Sequence, residues 1–395
     1  MRIRLIILLS IICNSAFSQM ENGYVKSEVR DMIAICNSFA FIELYGSDSE
    51  IIPEGYRKIY TSETIGMDNK FQIYRNGKVA VINLRGSTAK KSSWLENFYS
   101  EMIPAKGVIG ISGESHQYTF ADHEDAAVHS GYALAIAYLS KDITAQIKKL
   151  NSDKVYHIIV TGHSQGGALA QLLRAYLENQ PSKTIAEKNK FKTYSFASPM
   201  TGNKHFAEEY SKRYCNGSSY NIINPKDLVT TLPLSYNDSN YVSQTDFIAL
   251  LFNRESLDLK HKIIGGTIHL LEKPLSKIIH KVGEEVYSQI NKGQGGYIKM
   301  PLKAPDINYM RLNEVVEIIP TPYPKKIKDP SILQNDSLMA IYKKGDDGYF
   351  VDENLYKKEP MFFQHKPYNY YASILKLYYP ASYEKLEMKY LEGKK

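Results

Sequence analysis

Cysteine, tryptophan and long apolar runs are all scarce in this chain. Its 395 residues include 3 cysteines and 1 tryptophan. One cysteine, Cys13, falls in the first eighteen residues. The remaining pair, Cys36 and Cys215, is too few for a thiolate metal centre and suffices for one disulfide or two buried thiols, which the sequence leaves open. Beyond residue 18 no segment is apolar enough to span a bilayer. Charge of one sign is missing too: 49 Lys and Arg stand against 42 Asp and Glu, a formal net charge of +7. The excess is dispersed and no basic and aromatic cluster accompanies it. Nucleic-acid binding is therefore excluded, and transient contact with an anionic lipid surface is the partner class the charge allows. No repeat or low-complexity linker divides the chain.

What is present begins with a secretory pattern. Arg2 and Arg4, the apolar residues 5–12 and the small-residue site Ala16-Phe17-Ser18 predict a signal peptide over residues 1–18 and export to a secreted or periplasmic location. A lipoprotein signal ending at Cys13 competes with this, but bulky Ile12 stands where a small residue is needed. Residues 19–395 are expected to form a single domain.

The chemistry centres on Gly162-His163-Ser164-Gln165-Gly166. A β-branched run over 155–160 precedes it, and apolar residues at helical spacing follow it to Leu177. A serine between two such glycines on a strand-to-helix turn is a nucleophile elbow. The following helix start offers backbone N–H groups and a positive dipole end to an oxyanion. Around this stretch the pattern predicts a helix within 19–60, a hairpin over 71–82 turning at Asn76-Gly77, a short helix over 94–101 and a long one over 126–150. Strands are expected at 192–197 and 220–224. Alternating strands and helices imply a mostly parallel sheet covered on both faces. Two or three amphipathic helices are expected in an insertion or cap over 243–297, completing the core or overhanging the site. A second hairpin is expected over 339–351, its Asp346-Asp347 pair serving the turn rather than calcium. His123 with Asp122, Glu124 and Asp125 crowds the expected start of the long helix, where acidic residues favour the dipole and no metal is required.

Together, Leu84-Arg85-Gly86-Ser87 with Trp94-Leu95, Val128-His129-Ser130-Gly131-Tyr132, residues 162–170, Ser195-Phe196-Ala197-Ser198-Pro199 with Gly202-Asn203, and residues 222–232 resemble the class 3 lipase family of the α/β-hydrolase fold. The resemblance covers about 70–234. It implies a triacylglycerol lipase or esterase that cleaves carboxylic esters through a Ser-Asp-His triad, with phospholipase A1-type activity or a non-catalytic binding protein on the same scaffold as alternatives, and with no cofactor and no metal. Carried over by motif, Ser164 is the nucleophile, Asp227 the triad carboxylate with Asp238 in reserve, and Ser87 an oxyanion donor through its N–H and its hydroxyl. The N–H of Gln165 is the second donor, and neither donor is expected to depend on the Gln165 side chain. The base is His365, just past a possible last strand at 361–364 and before a tyrosine-bearing helix. His280 is what the usual family spacing would select, and His261 and His269 fall on the expected cap helices. His129 and His163 are assigned support roles, with His163 pointing away from the base. Residues 92–104 and 243–297 are the lid candidates.

Overall fold

The computed structural model describes residues 20–233, 275–293, 297–306, 308–360, 362–387 and 391. The chain opens with α1 (Lys26–Cys36), α2 (Ser38–Tyr45), β1 (Arg57–Thr61), β2 (Phe71–Asn76), β3 (Val79–Leu84) and α3 (Lys91–Phe98). Next come β4 (Met102–Pro104), β5 (Lys106–Ile111), β6 (Glu114–Thr119), β7 (Ala127–His129), α4 (Ser130–Ser152), β8 (His157–His163) and α5 (Gln165–Glu178). These are followed by β9 (Lys190–Phe196), β10 (Gly202–Asn203), α6 (Lys204–Tyr214), β11 (Ser219–Ile223) and α7 (Leu275–Gly293). The rest comprises β12 (Ile298–Lys299), β13 (Tyr309–Met310), β14 (Val315–Glu317), α8 (Asp336–Ile341), α9 (Pro367–Tyr378) and a short helix, Pro380–Glu384.

Seven strands form the main sheet in the order β1-β2-β3-β8-β9-β11-β14. The edge pairs β1–β2 and β2–β3 are antiparallel, and every pair from β3 to β14 is parallel. The strands that deliver the site are therefore central ones, with their carboxyl ends on one rim. Period-two alternation sorts their side chains into two cores. Ala80, Ile82, Leu84, Ile158 and Val160 join α4 and α5 on one face. Val79, Val81, Ile159 and Tyr194 join α1 and α9 on the other. Cys215 lies in the first cluster and Cys36 in the second, both as free thiols. Burial pushes the Cys36 thiol up to about 12, against the Thr161 hydroxyl beside it, so it behaves as a small apolar residue.

The structure departs from the sequence pattern in four places. The first helical stripe breaks at Asn37, whose side-chain amide donates to the Ile33 and Pro367 carbonyls, and it ends at Gly46 with φ +77°. The expected long helix starts at Ser130 rather than 126. Residues 127–129 pair instead with β4 and β10, and the Asn203 side chain accepts the Ala127 N–H. Residues 339–341 complete α8, leaving of the second hairpin a single bridge between Lys344 and Phe350. Finally, 362–365 is a turn, closed by N–H donation from His365 to Phe362 and from Lys366 to Phe363. Proline at 360 and 367 brackets this segment, and the turn takes the place of the expected last strand. The residues expected to form a signal peptide and most of the insertion expected at 243–297 lie outside the described residues. Of the insertion, α7 is described, packed against α3.

Candidate active site

Backbone sterics fix the elbow. Ser164 sits between β8 and α5 at φ 61°, ψ −129°, a conformation costing a non-glycine residue about 1–3 kcal/mol. It is held by donation from its N–H to Phe196 O (2.9 Å) and by Gly167 N–H donating to its carbonyl (2.8 Å). A Cβ on Gly162 would lie 2.2 Å from Gly166 O, and one on Gly166 would lie 2.2 Å from Leu84 O. The glycine spacing is thus demanded by three backbones meeting.

The carboxylate arrives at the end of β11. Asn224-Pro225-Lys226 turns the chain so that Asp227 caps the 3-10 turn Leu228–Thr231, its Oδ1 accepting the Val229 N–H at 3.0 Å. Its Oδ2 accepts both from His365 Nδ1 and from the Tyr370 hydroxyl, each at 2.8 Å. His365 Nε2 lies 2.8 Å from Ser164 Oγ. Because an ionised Asp227 accepts only, Nδ1 carries the proton and Nε2 accepts from the serine. His365 is 138 residues beyond Asp227 and 201 beyond Ser164. Its turn is clasped to the end of β11 by Asn224 Nδ2 donating to Gln364 Oε1 (2.8 Å), while Gln364 Nε2 donates to Thr321 O. The backbone of His280 lies in α7; Asp238, His261 and His269 lie outside the described residues.

On the opposite side Ser87 follows Gly86, whose Cα packs against the elbow: a Cβ there would lie 2.7 Å from His163 O. The loop is pinned to Asp68, which accepts from Thr88 Oγ1 (2.6 Å) and Lys90 Nζ (2.7 Å) and pairs with Arg85 at 3.1 Å. Burial raises the Asp68 carboxyl, but these partners outweigh it and hold the group below its usual range. The Gln165 side chain, to which the sequence assigned no part, is buried and hydrogen-bonded at both ends. Its Oε1 accepts from the hydroxyls of Ser87 (3.1 Å) and Ser93 (3.2 Å), and its Nε2 donates to Glu96. Glu96 is fully buried, and burial pushes its carboxyl well above the usual range despite donation from Asn69 and Gln165. Asp68, Glu96, Tyr370 and Gln364 were not singled out from sequence. A polar residue directly after the nucleophile, facing a helix with a glutamate inside an apolar stripe, was the available signal.

Ser164, Ser87 and His365 line one cavity of about 390 Å³. Its walls are chiefly apolar, with Phe39 from α2, Trp94 and Phe98 from α3, and Val229, Leu232 and Phe362. The lid candidate at 92–104 therefore forms a wall, its α3 backed by α7 and by Tyr99 stacked on Tyr287. His129 caps α4, and burial lowers it to about 3. His163 does not point away from the base. Its ring lies 4.9 Å from that of His365, and burial, reinforced by that neighbour, keeps it neutral. The Asp122–Asp125 residues precede α4 by a whole strand, so they do not serve its dipole. The N–H groups of Asp122 and His123 donate to Glu209.

Residues 81–237 match the family described as lipase (class 3). A 157-residue stretch is 27% identical to secreted mono- and diacylglycerol lipase 1 of Fusarium solani, covering 40% of this chain and 40% of that relative. The chain thus matches less than half the length of that curated protein. Among solved structures, a fungal lipase–inhibitor complex is 21% identical over 53% of this chain and 74% of its own, with a TM-score of 0.41. A lipase of Rhizopus microsporus var. chinensis is 20% identical over 54% and 71%, with a TM-score of 0.40. Among the described residues no helix is long and apolar enough to cross a membrane. The parallel sheet, the elbow and this match agree: residues 81–237 are similar to the class 3 lipases, and the fold is that of an α/β-hydrolase.

Proposed function

We propose that this protein is an exported serine hydrolase that cleaves lipid carboxylic esters through an acyl-enzyme, within a single domain that follows the signal peptide. The observation that carries the reading is the continuous line Ser164–His365–Asp227, with both hydrogen bonds at 2.8 Å. His365 Nε2 takes the Ser164 proton as Oγ attacks the ester carbonyl. Asp227 stabilises the imidazolium that forms, and His365 returns the proton to the departing alcohol. Water, deprotonated by the same histidine, then releases the acid. The N–H groups of Ser87 and Gln165 face the developing oxyanion. Charge stabilisation of this kind is worth about 3–4 kcal/mol for each donor. The reaction as written needs no cofactor.

The cavity's apolar walls suit an acyl chain. The Fusarium solani relative carries mono- and diacylglycerol in its name, and acylglycerols are the substrate class we assign here. The test is labelling with a fluorophosphonate, followed by turnover of a short p-nitrophenyl ester and of monoacylglycerol. Ser164 is expected to be the labelled residue, and Ser164→Ala to lose labelling and turnover together. A folded wild-type protein that resists the reagent would sink the hydrolase reading.

A further inference from the structure

Two oxyanion donors in a site of this kind come from segments far apart in the chain, and something must hold their spacing. Here Ser87 lies 78 residues before Gln165, and the two are joined directly: the Ser87 hydroxyl donates to Gln165 Oε1 at 3.1 Å. The same hydroxyl accepts from Asn97 Nδ2 at 2.9 Å. Both of its bonding directions are thus spent inside the protein, so it is a tie rather than a donor to substrate. The Gln165 amide has two ends of nearly equal size, and only one orientation presents an acceptor to Ser87. Glu96 selects it. This glutamate takes the Nε2 end, and its other oxygen accepts from Asn69 Nδ2 at 2.9 Å, so the acceptor itself is held in place. Ser93 and Asn97 of α3 converge on Gln165 Oε1 as well, at 3.2 and 3.3 Å. Glu96 and Gln165 are closed to solvent, at 0% and 2% exposure, while Ser87 and Asn97 border the cavity. In such surroundings a polar bond is stiff and an unmade one is costly.

We infer that the Gln165 side chain, anchored on Glu96, is a positioning device for the oxyanion hole: it ties the Ser87 segment to the nucleophile's own helix and fixes the Ser87 N–H relative to that of Gln165. One residue thereby supplies a donor through its backbone and aligns the other through its side chain. The inference rests on the acyl-transfer reading above. Its consequence is that α3 is bonded to the elbow from beneath, and the Ser87 N–H is in place before substrate arrives. Preorganisation of this kind acts on the transition state and leaves ground-state binding nearly untouched.

The experiment is a kinetic comparison on a p-nitrophenyl ester. Loss of an oxyanion donor costs about 10²–10³ in kcat, and a donor that is present but loosened should cost less, about 10- to 30-fold. Gln165→Leu is expected to show that loss with KM within about twofold of wild type. Because a lone leucine there strands Glu96, the paired variant E96L/Q165L removes both polar groups together and is expected to fold and to show the same fall in kcat. Glu96→Gln keeps an oxygen for Gln165 Nε2 and is expected to retain at least about half of the wild-type kcat. Ser87→Ala breaks the same tie, so Q165L/S87A should be no slower than the slower single variant. The inference falls if E96L/Q165L keeps more than half of kcat, if Glu96→Gln is as slow as Gln165→Leu, or if the Ser87 and Gln165 losses multiply. Turnover persisting in Ser164→Ala would overturn the acyl-transfer reading and this inference with it. Turnover lost in Ser164→Ala but kept in E96L/Q165L overturns this inference alone.

Discussion

Ser164 and His365, the nucleophile and the base we propose, are held by different means. Around Ser164 the constraint is backbone against backbone: β8, α5 and the end of β3 approach so closely that no Cβ fits at Gly162 or Gly166. Around His365 side-chain hydrogen bonds recur instead. A turn between two prolines is positioned by side chains, with Asn224 on Gln364, Gln364 on Thr321 O, and Tyr370 on Asp227. Backbone constraints are all or nothing, whereas side-chain ties can be cut one at a time. The nucleophile half should therefore fail abruptly under mutation and the base half by degrees.

The sharpest test of that contrast is at the base itself. Loss of one member of a triad costs on the order of 10⁴ in turnover, and His365→Ala is expected to fall by about that factor without loss of fold. His280→Ala should stay within about twofold of wild type. Near-normal turnover in His365→Ala, or a collapse in His280→Ala, would move the base to the α7 helix. Next is Tyr370→Phe. It deletes one bond to Asp227 Oδ2 and leaves the Asn224 N–H without its acceptor. Stability should fall by about 1–2 kcal/mol, and turnover by about tenfold, measured by urea unfolding and ester kinetics. A loss as large as that of His365→Ala would mean that the base half is not graded.

The smallest expected effect concerns acid. Burial lowers His129 to about 3, against 6.5 for the free side chain. The folded state then binds fewer protons than the unfolded chain between those values. The stabilisation is present above pH 6.5 and is lost as pH falls toward 3. The same sign applies to His163. His129→Asn keeps a side-chain acceptor for the helix start and removes the titration, so its unfolding free energy should decline less steeply over that window. An unchanged slope would show that His129 is charged when folded.

The same contrast explains what could be read from the amino-acid order. Gly162-x-Ser164-x-Gly166 after a β-branched run carries its own geometry, because the steric requirement is local and leaves a spacing in the sequence. Asn76-Gly77 marked the β2–β3 turn for the same reason. The long-range ties leave no spacing. Nothing near Glu96 announces that it meets Gln165, and nothing near Gln364 announces Asn224. The possible strand at 361–364 misled because four apolar or amide residues fit a strand and a turn equally, and flanking prolines decide between them only once the fold is known. The helix expected from 126 failed where tertiary pairing with β4 and β10 overrode an alanine-rich start.

The clasp between Asn224 and Gln364 has a consequence for how this chain can change. It closes a long excursion at its mouth, beside Asp227, while β14 and Thr321 within the excursion brace the same rim. For a flexible loop, each doubling in length costs only about 0.6 kcal/mol. Insertions or deletions between β11 and α9 can therefore accumulate at small thermodynamic cost while His365 returns to the same place. What such changes must spare is Asp227, β14 and Thr321, which share the mouth with the two amide side chains.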